Sequence, residues 1–99
     1  MFEIIFTEPA QEDLNKLEGD SSKKGLVKQI KKILGYLQTN PRHPSLRTHE
    51  YHSIPNPIVN GEKVFEGYVQ NQTPGAHRIF WCYGPEKKQI TIISIAPHP

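Results

Sequence analysis

The sequence predicts an α+β fold in which an N-terminal strand and two helices pack on one face of a twisted, mainly antiparallel sheet. Two observations carry that reading. Apolar residues recur at helical spacing as far as Leu37 and at a period of two from Tyr51 onward. The connections after Asn60 are also short, and short links join antiparallel neighbours, since a parallel crossover takes about a dozen residues or more.

Each element follows from local chemistry. Residues 2–7 read as a short strand, and Glu8-Pro9 opens a helix to about Leu17, with proline in the first turn where its missing N–H costs little. Gly19 ends that helix. Asp20 or Ser21 caps the next, in which Leu26, Ile30, Ile33, Leu34 and Leu37 form one apolar stripe and Lys24, Lys28, Lys31 and Lys32 lie mostly off it. Asn40-Pro41 stops the helix, and residues 41–49 read as an ordered basic loop with prolines at 41 and 44. Strand-like runs at residues 50–54, 63–70, 77–83 and 89–96 are separated by Pro55-Asn56-Pro57 with Asn60-Gly61, by Thr73-Pro74-Gly75 and by Gly84-Pro85-Glu86. The helices are expected to cover one sheet face and leave the other partly open.

The 99 residues, 35% apolar, make a single domain spanning 1–99, with no internal repeat and no low-complexity tract. Cys82 is the sole cysteine; with no second thiol to pair with inside the chain, it reads as a buried thiol in a reducing compartment. No basic leader precedes an apolar stretch, and no run approaches the roughly 18 apolar residues of a membrane span. A cytoplasmic protein is expected.

A net charge of +2 conceals strong segregation. Between Ser21 and His49 stand seven cations (Lys23, Lys24, Lys28, Lys31, Lys32, Arg42, Arg47) and no carboxylate, while the first twenty residues hold six acids and one lysine. Such a field attracts polyanions, nucleic acid above all, although a lysine-rich helix face is also the ordinary solvated surface of a globular protein.

Alternation places Glu66 and Tyr68 on one side of their strand, facing outward, and Phe65 and Val69 on the side that meets the helices. In the next strand Arg78, Phe80 and Cys82 share a side opposite Ile79, Trp81 and Tyr83, and pattern alone does not choose between the two. The adjacent Ile92 and Ile93 admit a bulge that reverses the facing of the last strand. Glu66 reads either as a proton-transfer group or as the cross-strand ion-pair partner of Arg78. His43, His49, His52 and His77 lack zinc-like spacing and more plausibly touch phosphate, so no metal is expected. Arg42, Arg47 and the helix lysines suit RNA backbone, and Tyr68, Tyr83 or Trp81 suits stacking on an unpaired base, Trp81 being better suited to the core.

Four segments in order, Asn40-Pro41-Arg42-His43-Pro44-Ser45-Leu46, Val64-Phe65-Glu66-Gly67-Tyr68-Val69, His77-Arg78-Ile79-Phe80-Trp81 and Ile95-Ala96-Pro97-His98, resemble the RelE/ParE superfamily of small bacterial toxins over nearly the whole chain. The resemblance implies a RelE-like fold and a ribosome-dependent mRNA endonuclease, neutralised by a protein antitoxin and needing no cofactor. It places Arg78 where these toxins carry a phosphate-binding arginine and His98 where YoeB-like members carry a terminal histidine. The implied chemistry is attack of the ribose 2′-hydroxyl on the adjacent phosphorus, with His98 as base or acid, Arg78 stabilising the phosphorane and Glu66 as the second proton-transfer group. Phosphate and base contacts would come from Lys24, Lys28, Lys31, Lys32, Arg42, Arg47, Tyr68 and Tyr83.

Three departures stand against a complete transfer. Glu66 and Tyr68 fall where RelE-like enzymes have lysines, His98-Pro99 replaces a terminal histidine–tyrosine, and Pro44-Ser45 fills the place of a carboxylate. A ParE-like inhibitor of DNA gyrase and a catalytically silent relative that only binds an antitoxin share the fold and stay open. In each case the expected partner is an acidic, amphipathic antitoxin segment that folds on binding.

Overall fold

The computed structural model describes residues 1–70 and 75–97. Strand β1 (Glu3–Phe6) leads into helix α1 (Glu8–Glu18); helix α2 (Lys24–Thr39) follows, then strands β2 (His49–Glu50), β3 (Phe65–Tyr68), β4 (His77–Tyr83) and β5 (Gln89–Pro97). The five strands form one sheet in the order β1-β5-β4-β3-β2. β2, β3, β4 and β5 are antiparallel neighbours, whereas β1 lies parallel to β5. The expected α+β architecture is therefore present, with one parallel pair at an edge.

Local signals act where the sequence places them. Thr7 caps α1, its hydroxyl accepting from the Ala10 N–H at 3.2 Å while donating to the Ile93 carbonyl at 2.8 Å, so the helix start is tied to β5. The Gly19 N–H closes α1 by donating to Asn15. Asp20 caps a 3-10 turn at Ser21–Lys23, which feeds α2, so the cap sits one turn ahead of the helix proper.

Ala10 and Leu14 of α1 and Leu26, Ile30, Ile33 and Leu37 of α2 pack with Ile79, Trp81, Ile90, Ile92 and Ile95 of the sheet to make the core. The choice left open on β4 is thereby made: Ile79 and Trp81 face the helices. On β5 the bulge is present, because Phe80 pairs with Ser94 while Trp81 pairs with Ile92. Ile93 is the extra residue, and it lets both Ile92 and Ile95 reach the core.

Two expectations need correction. The runs 50–54 and 63–70 shrink to His49–Glu50 and Phe65–Tyr68, because the intervening segment is organised by a side chain rather than by a ladder. Asn56 Oδ1 accepts from the N–H groups of Ile58 and Val59, and its Nδ2 donates to the Lys63 carbonyl, while Pro55 and Pro57 offer no N–H to a sheet. This loop also folds over part of the sheet face expected to be open. The Tyr51 ring lies 4.8 Å from that of Phe80, and Phe80 and Cys82 are buried. Among the described residues of that face, Tyr68, Ser94 and Ala96 remain partly exposed. Among the described residues no helix is long and apolar enough to cross a membrane.

Candidate functional site

The accessible part of that face is built on β2, β3 and the start of β4. Register sets Tyr68 opposite Arg78 and Glu66 opposite His49, and directly opposed residues share a face. Four side chains are thus brought together by pairing alone.

Arg78 is 8% exposed and lies over the Tyr68 ring, its guanidinium carbon 3.8 Å from the ring centre. Its Nη1 donates to the carbonyls of Gln70 at 2.8 Å, His77 at 3.2 Å and Ala76 at 3.4 Å. These bonds and the stack fix the plane of the group, while the buried Nε has no hydrogen-bond partner among the described residues. A second guanidinium, that of Arg47, approaches the same ring at 5.7 Å. Arg47 takes a left-handed backbone conformation at the end of the 3-10 turn Pro44–Leu46, which turns its side chain back toward the sheet.

Glu66 occupies the expected face, but it is not solvent-facing: it is 1% exposed. It makes an ion pair with His49, whose Nε2 lies 2.6 Å from Glu66 Oε1, a partner the sequence reading did not weigh beside Arg78. The His49 Nδ1 is 3.3 Å from the Arg47 carbonyl, and its ring meets Tyr68 edge-on at 6.0 Å. One ring nitrogen is held by a buried carboxylate, and the other faces a carbonyl oxygen, an acceptor that only a protonated Nδ1 can serve. Sequence reasoning counted His49 among phosphate-touching histidines and missed its pairing with Glu66. A two-residue strand entered from an irregular loop gives no periodicity from which its register can be read.

The remaining candidates separate. His98 lies outside the described residues. Tyr83 is not beside Tyr68; it faces the helix side of the sheet, packed at 5.1 Å against Trp81 and at 5.8 Å against Phe65. Lys24, Lys28, Lys31 and Lys32 are exposed along α2, with Lys31 paired to Glu18 at 3.2 Å and Lys32 over the Tyr36 ring. Arg42 is exposed in the loop after α2, next to His43, whose ring stacks on Tyr36 at 3.9 Å. His77 turns to the helix side beside Asp13 and Lys16; burial there, aided by Lys23, pushes its imidazole below the ordinary histidine range. His52 is exposed, 3.8 Å from Glu50, and no group of three metal-ligating side chains occurs among the described residues.

The cluster of Arg47, His49, Glu66, Tyr68 and Arg78 offers two planar cations for an anion, an aromatic face, and an imidazole oriented by a buried carboxylate. That set can bind a phosphodiester and move a proton next to it.

No family model matches the sequence, and no curated protein is significantly similar to it. Solved structures do match in fold. The YoeB/ParE toxin from Agrobacterium tumefaciens superimposes with a TM-score of 0.72 at 10% identity, covering 99% of this chain and 100% of the other. The YoeB–YefM toxin–antitoxin complex from Staphylococcus aureus gives 0.67 at 19% identity over 100% and 99% of the two chains. The intact RelBE toxin–antitoxin complex of E. coli gives 0.65 at 18% identity over 100% and 99%. The chain has the RelE-like fold.

Proposed function

We propose that this chain is the toxin component of a toxin–antitoxin pair and acts as a ribosome-dependent mRNA endonuclease. The single observation that supports this most is the Arg78 guanidinium, locked flat on Tyr68 with a buried, unpartnered Nε, beside Arg47 and the His49–Glu66 pair. A buried arginine with an unsatisfied donor is costly, and a phosphate held against the rest of its guanidinium would offset part of that cost. The fold shared with YoeB and RelE toxins, two of them solved as complexes with antitoxins, supports the same reading.

In the proposed mechanism a phosphodiester of single-stranded RNA lies between the two guanidinium groups. His49, oriented by Glu66, takes the proton of the ribose 2′-hydroxyl as that oxygen attacks phosphorus. The 5′-oxygen leaves with a proton from a general acid, the role proposed for His98 on sequence grounds alone. Arg78 and Arg47 carry the charge that builds on the phosphorane oxygens. Glu66 is thereby moved from proton carrier to positioning residue. No metal enters. The exposed lysines of α2 are proposed to dock on ribosomal RNA phosphates, a contact that weakens with salt.

The partner is proposed to be an antitoxin whose acidic segment covers the cationic surface. Inducible expression without it, followed by mapping of mRNA 5′ ends on ribosomes, tests the assignment. Cleavage within translated codons, lost in Arg78→Ala with the fold retained, is the expected result. Intact mRNA with a DNA-damage response would assign the chain to gyrase, and harmless expression would make it a silent binding relative.

A further inference from the structure

On the opposite side of the sheet from Arg78, residues 41–48 stand over an aromatic floor and enclose a groove of about 450 Å³. We infer that this groove is a nucleotide subsite, receiving an unpaired nucleotide of a single-stranded RNA a few positions from the scissile phosphate. The inference rests on the RNA reading given above and adds a second contact point for that substrate.

The floor is Phe65, Trp81 and Tyr83, mutually packed with ring centres 4.8 to 5.8 Å apart. Tyr83 is 46% exposed, so its ring is offered to a ligand as well as to its neighbours. The wall supplies Arg42, His43 and Arg47 and not one carboxylate. Cations beside stackable rings are the combination that holds unpaired nucleotides without reading their sequence strictly. Two lining residues also hold buried polar atoms with no partner among the described residues, Thr48 Oγ1 and Trp81 Nε1. The volume falls in the range of about 300–1,000 Å³ usual for small-molecule sites, enough for one nucleotide.

Continuity with the phosphate cradle favours RNA over an acidic peptide. Arg47 lines the groove and also approaches Tyr68 on the other face. β2, the edge strand between the two faces, is only two residues long, so a nucleic-acid strand passing its edge meets Arg47 from either side.

Trp81 is the single tryptophan of the chain, which gives the groove its own reporter. Isotope-labelled protein is titrated with a short 2′-O-methyl RNA, which lacks the attacking hydroxyl, and the indole N–H resonance is followed. The expected result is a shift of that resonance and of the amides of residues 41–48. Tyr83→Ala and Arg42→Ala are expected to weaken binding by roughly fivefold or more each, with amide spectra unchanged elsewhere. If Arg78→Ala weakens binding while Tyr83→Ala and Arg42→Ala do not, the subsite is overturned and the RNA assignment stands. An Asp/Glu-rich peptide that moves the indole where RNA does not would overturn the subsite in favour of a protein groove. No shift with either ligand overturns it as well, and mRNA 5′-end mapping then judges the RNA assignment separately.

Discussion

Across the β2–β3 pair the His49 imidazole donates from Nε2 to the Glu66 carboxylate at 2.6 Å, with Glu66 1% and the His49 side chain 47% exposed. A carboxylate buried behind a half-exposed imidazole holds the ring in one orientation toward solvent, the arrangement a positioned proton carrier requires. His49→Ala is expected to reduce ribosome-dependent cleavage by about a hundredfold or more and, because it strips the buried Glu66 carboxylate of its imidazole partner, to lower the melting temperature as well. Glu66→Ala removes the carboxylate that orients the ring and is expected to cost activity more than stability, because the half-exposed imidazole can turn to water. Full cleavage by His49→Ala, measured by primer extension, would remove His49 from the mechanism.

Arg78 gives a test in which charge is kept and geometry lost. Lysine cannot lie flat on Tyr68 or place a planar fork against a phosphate, so Arg78→Lys is expected to be nearly as inactive as Arg78→Ala. Losing the stack and the shared carbonyl bonds is expected to lower stability by about 1 kcal/mol or more. Wild-type activity in Arg78→Lys would mean that a point charge suffices there. Paired denaturation and cleavage assays distinguish the cases.

Gly67 sits where β3 crosses beneath the 3-10 turn of Leu46. A β-carbon there would stand 3.2 Å from Ile79 Cγ2 and 3.7 Å from the Leu46 carbonyl oxygen. Gly67→Ala is therefore expected to destabilise the fold by about 1–3 kcal/mol through overpacking, read as a lower urea midpoint with an unchanged slope. A neutral or stabilised variant would show that Ile79 yields without cost.

Cys82 is fully buried, and burial pushes its thiol above the usual range despite a hydrogen bond from Asn56. The native protein is expected to react with a thiol reagent only as fast as its structure opens, and rapidly once unfolded. Fast stoichiometric labelling of the folded chain would contradict the burial.

For His77 the sign of the pH effect follows from burial, with Lys23 adding to it. The unfolded chain takes up a proton near the ordinary histidine value of about 6.5, whereas the folded chain resists it to lower pH. Stability is therefore complete above that value, and it is lost as pH falls toward the depressed folded value. The melting temperature is expected to drop between about pH 7.5 and about pH 5.5, and His77→Gln to flatten part of that drop. An unchanged slope in the variant would show that other groups control it.

Much of the frame could be read before any coordinates. The stripe from Leu26 to Leu37 placed α2 and its buried side, Pro9 and Gly19 bounded α1, and Ile92-Ile93 marked the bulge, because each signal acts within a few residues of itself. Glu66 and Tyr68 could likewise be assigned a common face, since alternation is a local property of an extended chain. The concentration of cations between Lys23 and Arg47 was legible from residue order alone.

What local pattern left undecided was every relationship across strands. Whether Arg78 or Ile79 met the helices, whether Glu66 paired with Arg78 or His49, and whether Tyr83 stood beside Tyr68 all depended on register and on the course of the 51–64 loop. Sequence determined which surfaces each element owned, because side-chain periodicity follows from backbone geometry. Only tertiary structure decided which of those surfaces met, because strand pairing joins residues far apart in the chain, and a shift of one position turns every side chain to the other face.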